Sequence, residues 1–406
     1  MNVQGIKIVS RILGGITCLA ILNGCDLEKV VIGEGSLSTN PTSTTACETP
    51  SPTCTAFPED STVVVTAEPA DGWAFAGWEG TCPETELDHI EKCVQFMDEH
   101  KSVTARFVPI AAGNFTEGQW YYGRNSYTQY RAGNMPLVLV VSHGGKQLPT
   151  EIPNRANTGQ YPSFNTSSDT NSRILADSIA TQMFEYTGRY PHIVVNDLHR
   201  IKLDANRDIG EAALGNSYAE RAWEEFNAFI QVGRSESAQT YNYGLVVDVH
   251  GYTDSENPNT GLIQLGYLIS NNMLRDDPSA PQNTITDEMF DLDASYSQNS
   301  SIRHLHERSG HSFSTIMRGN YCIGGVFEYG GLPAIPSPLA PHTSPGYQFA
   351  GGGYITQTHG SNAGGVVDAI QIEFPFHLRQ TEATATQTGT DTAAVLYNFM
   401  LTNYSF

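Results

Sequence analysis

A chain of 406 residues, 39% apolar and 10% aromatic, is long enough for one large domain and a smaller one. Its 22 basic residues stand against 43 acidic ones, a formal net charge of −21. That balance argues against a nucleic-acid partner, because phosphate recognition depends on clustered Lys and Arg, and it favours solubility instead.

The chain opens on an export signal. Lys7 and Arg11 supply the positive end, and Ile12 to Leu22 form an apolar run too short to span a bilayer. The run ends in Leu22-Asn23-Gly24-Cys25, which resembles the lipobox of bacterial lipoproteins. The resemblance implies that residues 1–24 are removed and that Cys25 is acylated, anchoring the protein to a lipid bilayer of the cell envelope or outer surface. An ordinary secretory signal with a chance cysteine is the alternative.

Residues 25–60 are rich in Ser, Thr and Pro with little hydrophobic periodicity, which predicts a disordered tether. Over 61–110 short strands are expected at Val63–Val65, Trp73–Trp78 and Ser102–Val108, with a turn at Pro69-Ala70-Asp71-Gly72, making a small all-β module. Cys47, Cys54, Cys82 and Cys93 crowd into this part of the chain. In an oxidising setting they form a disulfide framework with three pairings open, of which Cys47–Cys54 with Cys82–Cys93 is preferred. Cys322 stands apart and reads as a buried apolar thiol. The segments Val65-Thr66-Ala67-Glu68-Pro69, Gly72-Trp73-Ala74-Phe75-Ala76-Gly77-Trp78 and Val103-Thr104-Ala105-Arg106-Phe107 resemble the bacterial β-repeat of surface proteins over residues 60–108, which implies a spacer or adhesive role.

Residues 112–406 alternate apolar runs with amphipathic stretches, the pattern of an α/β domain with a mixed, largely parallel sheet flanked by helices. Strands are expected at Pro136–Ser142, His192–Asn196, Gly244–Val249, Ile263–Ile269 and Ala369–Phe374. Helices are expected at Ser172–Tyr186, from Tyr218 to about Arg234, and at Thr392–Asn403. The Gly-, Pro- and Ser-rich stretch 320–365 reads as a long loop that shapes a pocket.

His143 and His250 each follow an apolar strand and each precede a glycine. The carboxyl ends of strands in an open α/β sheet border the ligand crevice, so the two imidazoles should converge there. Two His and one carboxylate are an established ligand set for a catalytic zinc, which keeps a further position for water. Asp169, otherwise a helix N-cap, is the preferred carboxylate, and Glu151 is the reserve. Glu373 interrupts an apolar strand, where an unpaired charge is costly, and suits general acid–base work beside a metal. The run around Arg200, Asp204, Asn206 and Arg207 suits a substrate carboxylate and a developing oxyanion, with a surface salt-bridge cluster as the plainer reading.

Ser142-His143-Gly144-Gly145 with Pro149, Ser168-Asp169-Thr170, Asp204-Ala205-Asn206-Arg207, Asp248-Val249-His250-Gly251 and Gln371-Ile372-Glu373 follow one another across residues 135–380. In this order they resemble the N-formylglutamate amidohydrolase family, distantly related to zinc carboxypeptidases. The resemblance implies one zinc per chain on His143, His250 and an acidic residue, Asn206 and Arg207 at the substrate's carboxylate, and Glu373 as catalyst; the residues themselves add Arg200 as the second arginine for the oxyanion. The carboxypeptidase His-x-x-Glu pair is absent, since Lys146 stands three residues after His143. The function expected is metal-dependent hydrolysis, outside the cytoplasm, of an amide or peptide bond next to a carboxylate on an N-acyl amino acid or peptide. Two other readings are a serine hydrolase built on Gly310-His311-Ser312-Phe313-Ser314, and a surface binding lipoprotein with an inactive hydrolase domain.

Overall fold

The computed structural model describes residues 24–406 apart from 49–50, 81, 83, 87–88, 163, 254–260 and 405. Of the expected export signal only Gly24 falls within the described residues.

Among its described residues the stretch 25–60 is built largely into strands instead of forming a tether. It contributes β1 (Gly24–Ile32), β2 (Gly35–Asn40) and β3 (Cys54–Pro58). In β1, Cys25 and Leu27 point inward at period two, and the strand is held between β3 and β8 (Lys101–Pro109), with pairs such as Val30↔Thr104. That partner lies far along the chain, so no local pattern announces the pairing.

The module is completed by β4 (Ser61–Pro69), β5 (Trp73–Gly80), β6 (Glu84–Glu86) and β7 (His89–Met97). Strands β2-β4-β7-β6 form an antiparallel sheet. Disulfides join Cys47 to Cys54 and Cys82 to Cys93, the pairing preferred from the sequence.

The α/β domain adds β9 (Trp120–Tyr122), β10 (Thr128–Arg131), β11 (Leu137–Val141), β12 (His192–Asn196), β13 (Gly244–Tyr252), β14 (Ile263–Gly266), β15 (Ala334–Ile335) and β16 (Val367–Pro375). Its four central strands, in the order β16-β13-β11-β12, are all parallel, and antiparallel neighbours flank them. The sheet continues into the module through Phe75↔Tyr122, giving twelve strands in all.

Helices cover both faces, which is why the central strands are apolar at nearly every position. On one side Leu139, Val141, Val247 and Ile372 pack beneath the helices Ser172–Thr187 and Glu382–Asn403. On the other, Val138, Val140, Val194 and Val246 meet Phe226, Phe229 and Ile230 of the helix Ser217–Tyr241. This helix outruns the expected end near Arg234 because Gly233 packs against Val138 and His192, and the turn waits for Asn242 at φ 59°. The last helix starts well before Thr392, with Thr381 and Thr384 capping each other's backbone N–H. The stretch 320–365 is only partly loop: it carries short helices at Ile323–Tyr329 and Tyr354–His359. Among the described residues no helix is long and apolar enough to cross a membrane.

Candidate metal centre

The parallel register of β13 and β16 pairs Asp248 with Gln371 and His250 with Glu373. Residues two apart share a face, so all four polar side chains emerge on one side at the carboxyl end of the sheet. His143 follows β11, the other neighbour of β13. The chain turns away from His143 at Gly144-Gly145, where a Cβ on Gly145 would stand 2.3 Å from the Asp197 backbone. Glycine is the residue that permits this approach.

Asp169 lies in the loop before the helix Ser172–Thr187, and its N–H donates to the His143 carbonyl at 2.9 Å. It does not cap the helix: the N-cap is Asn171, with no side-chain cap bond. The carboxylate turns inward instead, where Oδ2 accepts the Gly251 N–H at 3.1 Å.

His143 Nδ1 and His250 Nδ1 lie 3.1 Å apart, and Asp169 Oδ2 lies 3.1 Å from the second and 3.5 Å from the first. All three residues are buried. On the far side of each ring a carboxylate stands at Nε2: Asp204 Oδ1 at 2.6 Å from His143 and Asp248 Oδ2 at 2.7 Å from His250. The Asp204 hydrogen bond favours the Nε2–H tautomer of His143 and aims its Nδ1 lone pair inward, while Asp248 sets a negative charge behind the His250 ring. Bonds of about 2.0–2.1 Å from a tetrahedral ion put its ligand atoms about 3.3 Å apart, so the triangle fits such an ion.

Electrostatics agree. Burial alone would lower the His250 pKa, yet Asp248 and Asp169 raise it well above its usual value. Burial opposes ionisation of Asp204, but His143 and Arg200 outweigh it and hold the carboxyl well below the normal range. Burial, reinforced by Asp169, pushes the Glu373 carboxyl up. The site is built to hold positive charge among acids.

The remaining expected residues divide. Glu151 accepts from the Tyr127 hydroxyl and takes no part in the cluster, which leaves Asp169 as the third donor. Arg200 lines the cleft, its Nε donating to Asp204 Oδ2 at 3.0 Å, so these two residues form a buried pair and not a surface salt bridge. Asn206 also lines the cleft, with Oδ1 accepting from Ile355 N at 2.9 Å and Nδ2 lying 3.1 Å from His250 Nε2 and 3.5 Å from Gln371 Oε1. Arg207 reaches the cleft, partly exposed, with Nε 3.2 Å from Glu211 Oε1. Gln371 Nε2 donates to Glu373 Oε1 at 2.9 Å.

The cleft around these groups measures about 440 Å³ and is walled on one side by Phe349, Gly352 and Gly353 of the expected pocket-shaping stretch. A larger groove of about 900 Å³ lies between the module and the helix Ser217–Tyr241, away from both histidines. Chemistry, not size, marks the smaller one.

Ser312 does not support a serine hydrolase. Its hydroxyl contacts Ser314 and Thr315 at a helix start, and the adjacent His311 stacks on Tyr321. Cys25 points into the module core beside Leu27 and Phe57, where a lipid chain has no room unless Gly24 and Cys25 leave their pairing with β3. The sequence reading missed Asp248 as the partner of His250 and Asp204 as the partner of His143. The first was detectable, since an acid two residues before a strand-end histidine shares its face.

A divergent InlB B-repeat domain model matches residues 27–111, beginning inside the stretch expected to be a tether. No curated protein matches the chain by sequence. Among solved structures the chain is similar to a gene product of Agrobacterium tumefaciens, at 12% identity and TM-score 0.40, covering 68% of this chain and 95% of that one. It is also similar to an N-formylglutamate amidohydrolase from Ralstonia eutropha, at 11% identity and TM-score 0.32, covering 67% of this chain and 98% of that one. The disulfides belong to the chemistry of an oxidising compartment, as does a surface-type repeat.

Proposed function

We propose that this protein is an exported metal-dependent hydrolase that cleaves an amide or peptide bond adjacent to a carboxylate, on an N-acyl amino acid or short peptide. The observation that carries the reading is the triangle of His143 Nδ1, His250 Nδ1 and Asp169 Oδ2, with Glu373 beside His250 on the next strand. Zinc is the ion of choice for this donor set, one per chain.

A divalent ion held there supplies Lewis acidity to the scissile carbonyl and to the attacking water. Glu373, whose carboxyl is pushed up by burial, takes the proton of the attacking water and delivers it to the leaving amine. Arg207 holds the substrate carboxylate, and Arg200, oriented by Asp204, stabilises charge developing on the carbonyl oxygen. Asn206 steadies the His250 ring and Gln371.

The reading extends to a lipid anchor on Cys25, which requires only that the first two residues of β1 peel from Phe57 and Pro58. Membrane fractionation of wild type and Cys25→Ser tests that part alone.

The central test measures metal content and hydrolysis of N-acyl amino acids and dipeptides with and without chelator. About one ion per chain, and activity that disappears with chelator and returns with added metal, support the reading. A protein that binds no divalent ion sinks it.

A further inference from the structure

We propose that Arg379 is a positioning residue, the pin that holds the three chain segments bearing Asp169, His250 and Glu373 in one arrangement. The inference rests on the reading that this cluster holds a metal ion.

Arg379 lies in a short turn beyond β16 and is buried at the floor of the cleft. Its guanidinium donates in three directions: Nε to the Phe374 carbonyl at 3.1 Å, one terminal nitrogen to the Thr170 carbonyl at 2.9 Å, and the other to the Tyr252 carbonyl at 2.8 Å. Each acceptor is tied to a residue of the site. Phe374 follows Glu373, Thr170 follows Asp169, and Tyr252 stands two residues after His250. The grip is mutual, for Asn171 Nδ2 donates to the Arg379 carbonyl at 2.9 Å, so the Asp169 loop holds the arginine as the arginine holds the loop.

Why arginine stands here follows from shape. A planar fork with donors at fixed angles reaches three carbonyls at once, whereas an ammonium concentrates its donors on one atom. The β13–β16 ladder runs out at Tyr252↔Pro375, and the Asp169 loop belongs to neither strand. Without a cross-link, the loop and the strand ends are joined at this level mainly through the ligand cluster itself. Ligand atoms must stay within about 0.5 Å of the productive geometry, which makes such a link consequential.

Gly251 leaves the space that the guanidinium fills. A Cβ at that position would lie 1.9 Å from Arg379 Nε and 2.1 Å from Cζ. The glycine after His250 is therefore the seat of the guanidinium, and a methyl group there displaces it. The pin predicts that Gly251→Ala and the Arg379 variants share one phenotype.

The test compares wild type, Arg379→Ala, Arg379→Lys and Gly251→Ala for divalent-ion affinity by competition with a chromogenic chelator, for kcat and KM, and for thermal midpoint. The expected result is folded protein with ion affinity weakened about 10- to 100-fold in every variant, the range seen when a partner that orients metal ligands is lost. KM should change less than kcat, and guanidinium chloride at low concentration should restore part of the affinity of Arg379→Ala. If Arg379→Ala does not fold, Arg379→Lys and Gly251→Ala carry the same comparison. Ion affinity equal to wild type in all variants overturns the pin. A raised KM with unchanged ion affinity also overturns it and makes Arg379 a substrate contact. Wild-type protein that binds no ion overturns the metal reading and the pin with it, an outcome read from the wild type alone.

Discussion

His143 and His250 present their Nδ1 atoms to each other at 3.1 Å while a carboxylate backs each ring at Nε2. Two lone pairs at that distance repel unless a proton or a cation lies between them, and the Asp169 oxygen 3.1 Å from His250 Nδ1 adds a third donor to the same point.

Replacing a donor should abolish binding, and replacing a backing acid should only weaken it. His143→Ala, His250→Ala and Asp169→Asn are expected to purify without stoichiometric metal. Asp204→Asn and Asp248→Asn should retain it with about 10- to 100-fold lower affinity. Elemental analysis and chelator competition distinguish the two groups, and equal loss in both would remove the distinction between ligand and support.

Glu373→Gln keeps the shape of the strand but cannot move a proton. The variant is expected to bind the ion as tightly as wild type while kcat falls about 10²- to 10⁴-fold, the usual contribution of a general acid–base group. Unchanged turnover on the best substrate found would assign the proton transfer elsewhere.

His192 supplies a pH prediction remote from the cleft. Burial lowers its pKa to about 3, and Nδ1 accepts the Gly133 N–H at 3.1 Å, so the folded protein keeps the ring neutral. The unfolded chain takes up a proton below about 6.5 and the folded chain does not. Stability from this group is therefore present above about pH 6.5 and lost as pH falls toward 3, at up to about 1.4 kcal/mol per pH unit. Denaturant unfolding of His192→Gln between pH 4 and 7 should show a shallower loss than wild type; parallel curves would contradict the assignment.

The module is fastened to the α/β domain by a polar joint. Arg221 donates to the Pro69 and Ala70 carbonyls at 2.7 and 3.0 Å, pairs with Asp71, and holds buried Glu225 Oε1 at 2.9 Å. Arg221→Ala leaves that carboxylate with fewer partners, and a loss of about 3 kcal/mol is expected, since breaking a buried pair leaves a charge without compensation. Limited proteolysis should release the module faster than in wild type, and cleavage at the wild-type rate would show that the joint bears no such role.

What the sequence by itself determined is the local grammar: apolar runs that must be buried strands, the helix after Asp169, and two histidines placed where strands end. Period-two and helical spacing are properties of neighbouring residues, and so they survive without a fold. The order of the central strands brings His143 and His250 together, because β11 and β13 are adjacent. Only tertiary structure chose Asp169 over Glu151, since an acid at a helix start reads equally well as cap or ligand until its carboxylate is seen to turn inward. Only tertiary structure showed that β1, β2 and β3 belong to the module, because β1, which β3 joins on one side, finds its other partner in β8 at the far end of the module. The same holds for Asp204 behind His143 and for Arg379 beneath Gly251: each contact joins segments that no period in the chain relates, and burial of charge decides their pairing only once the segments have met.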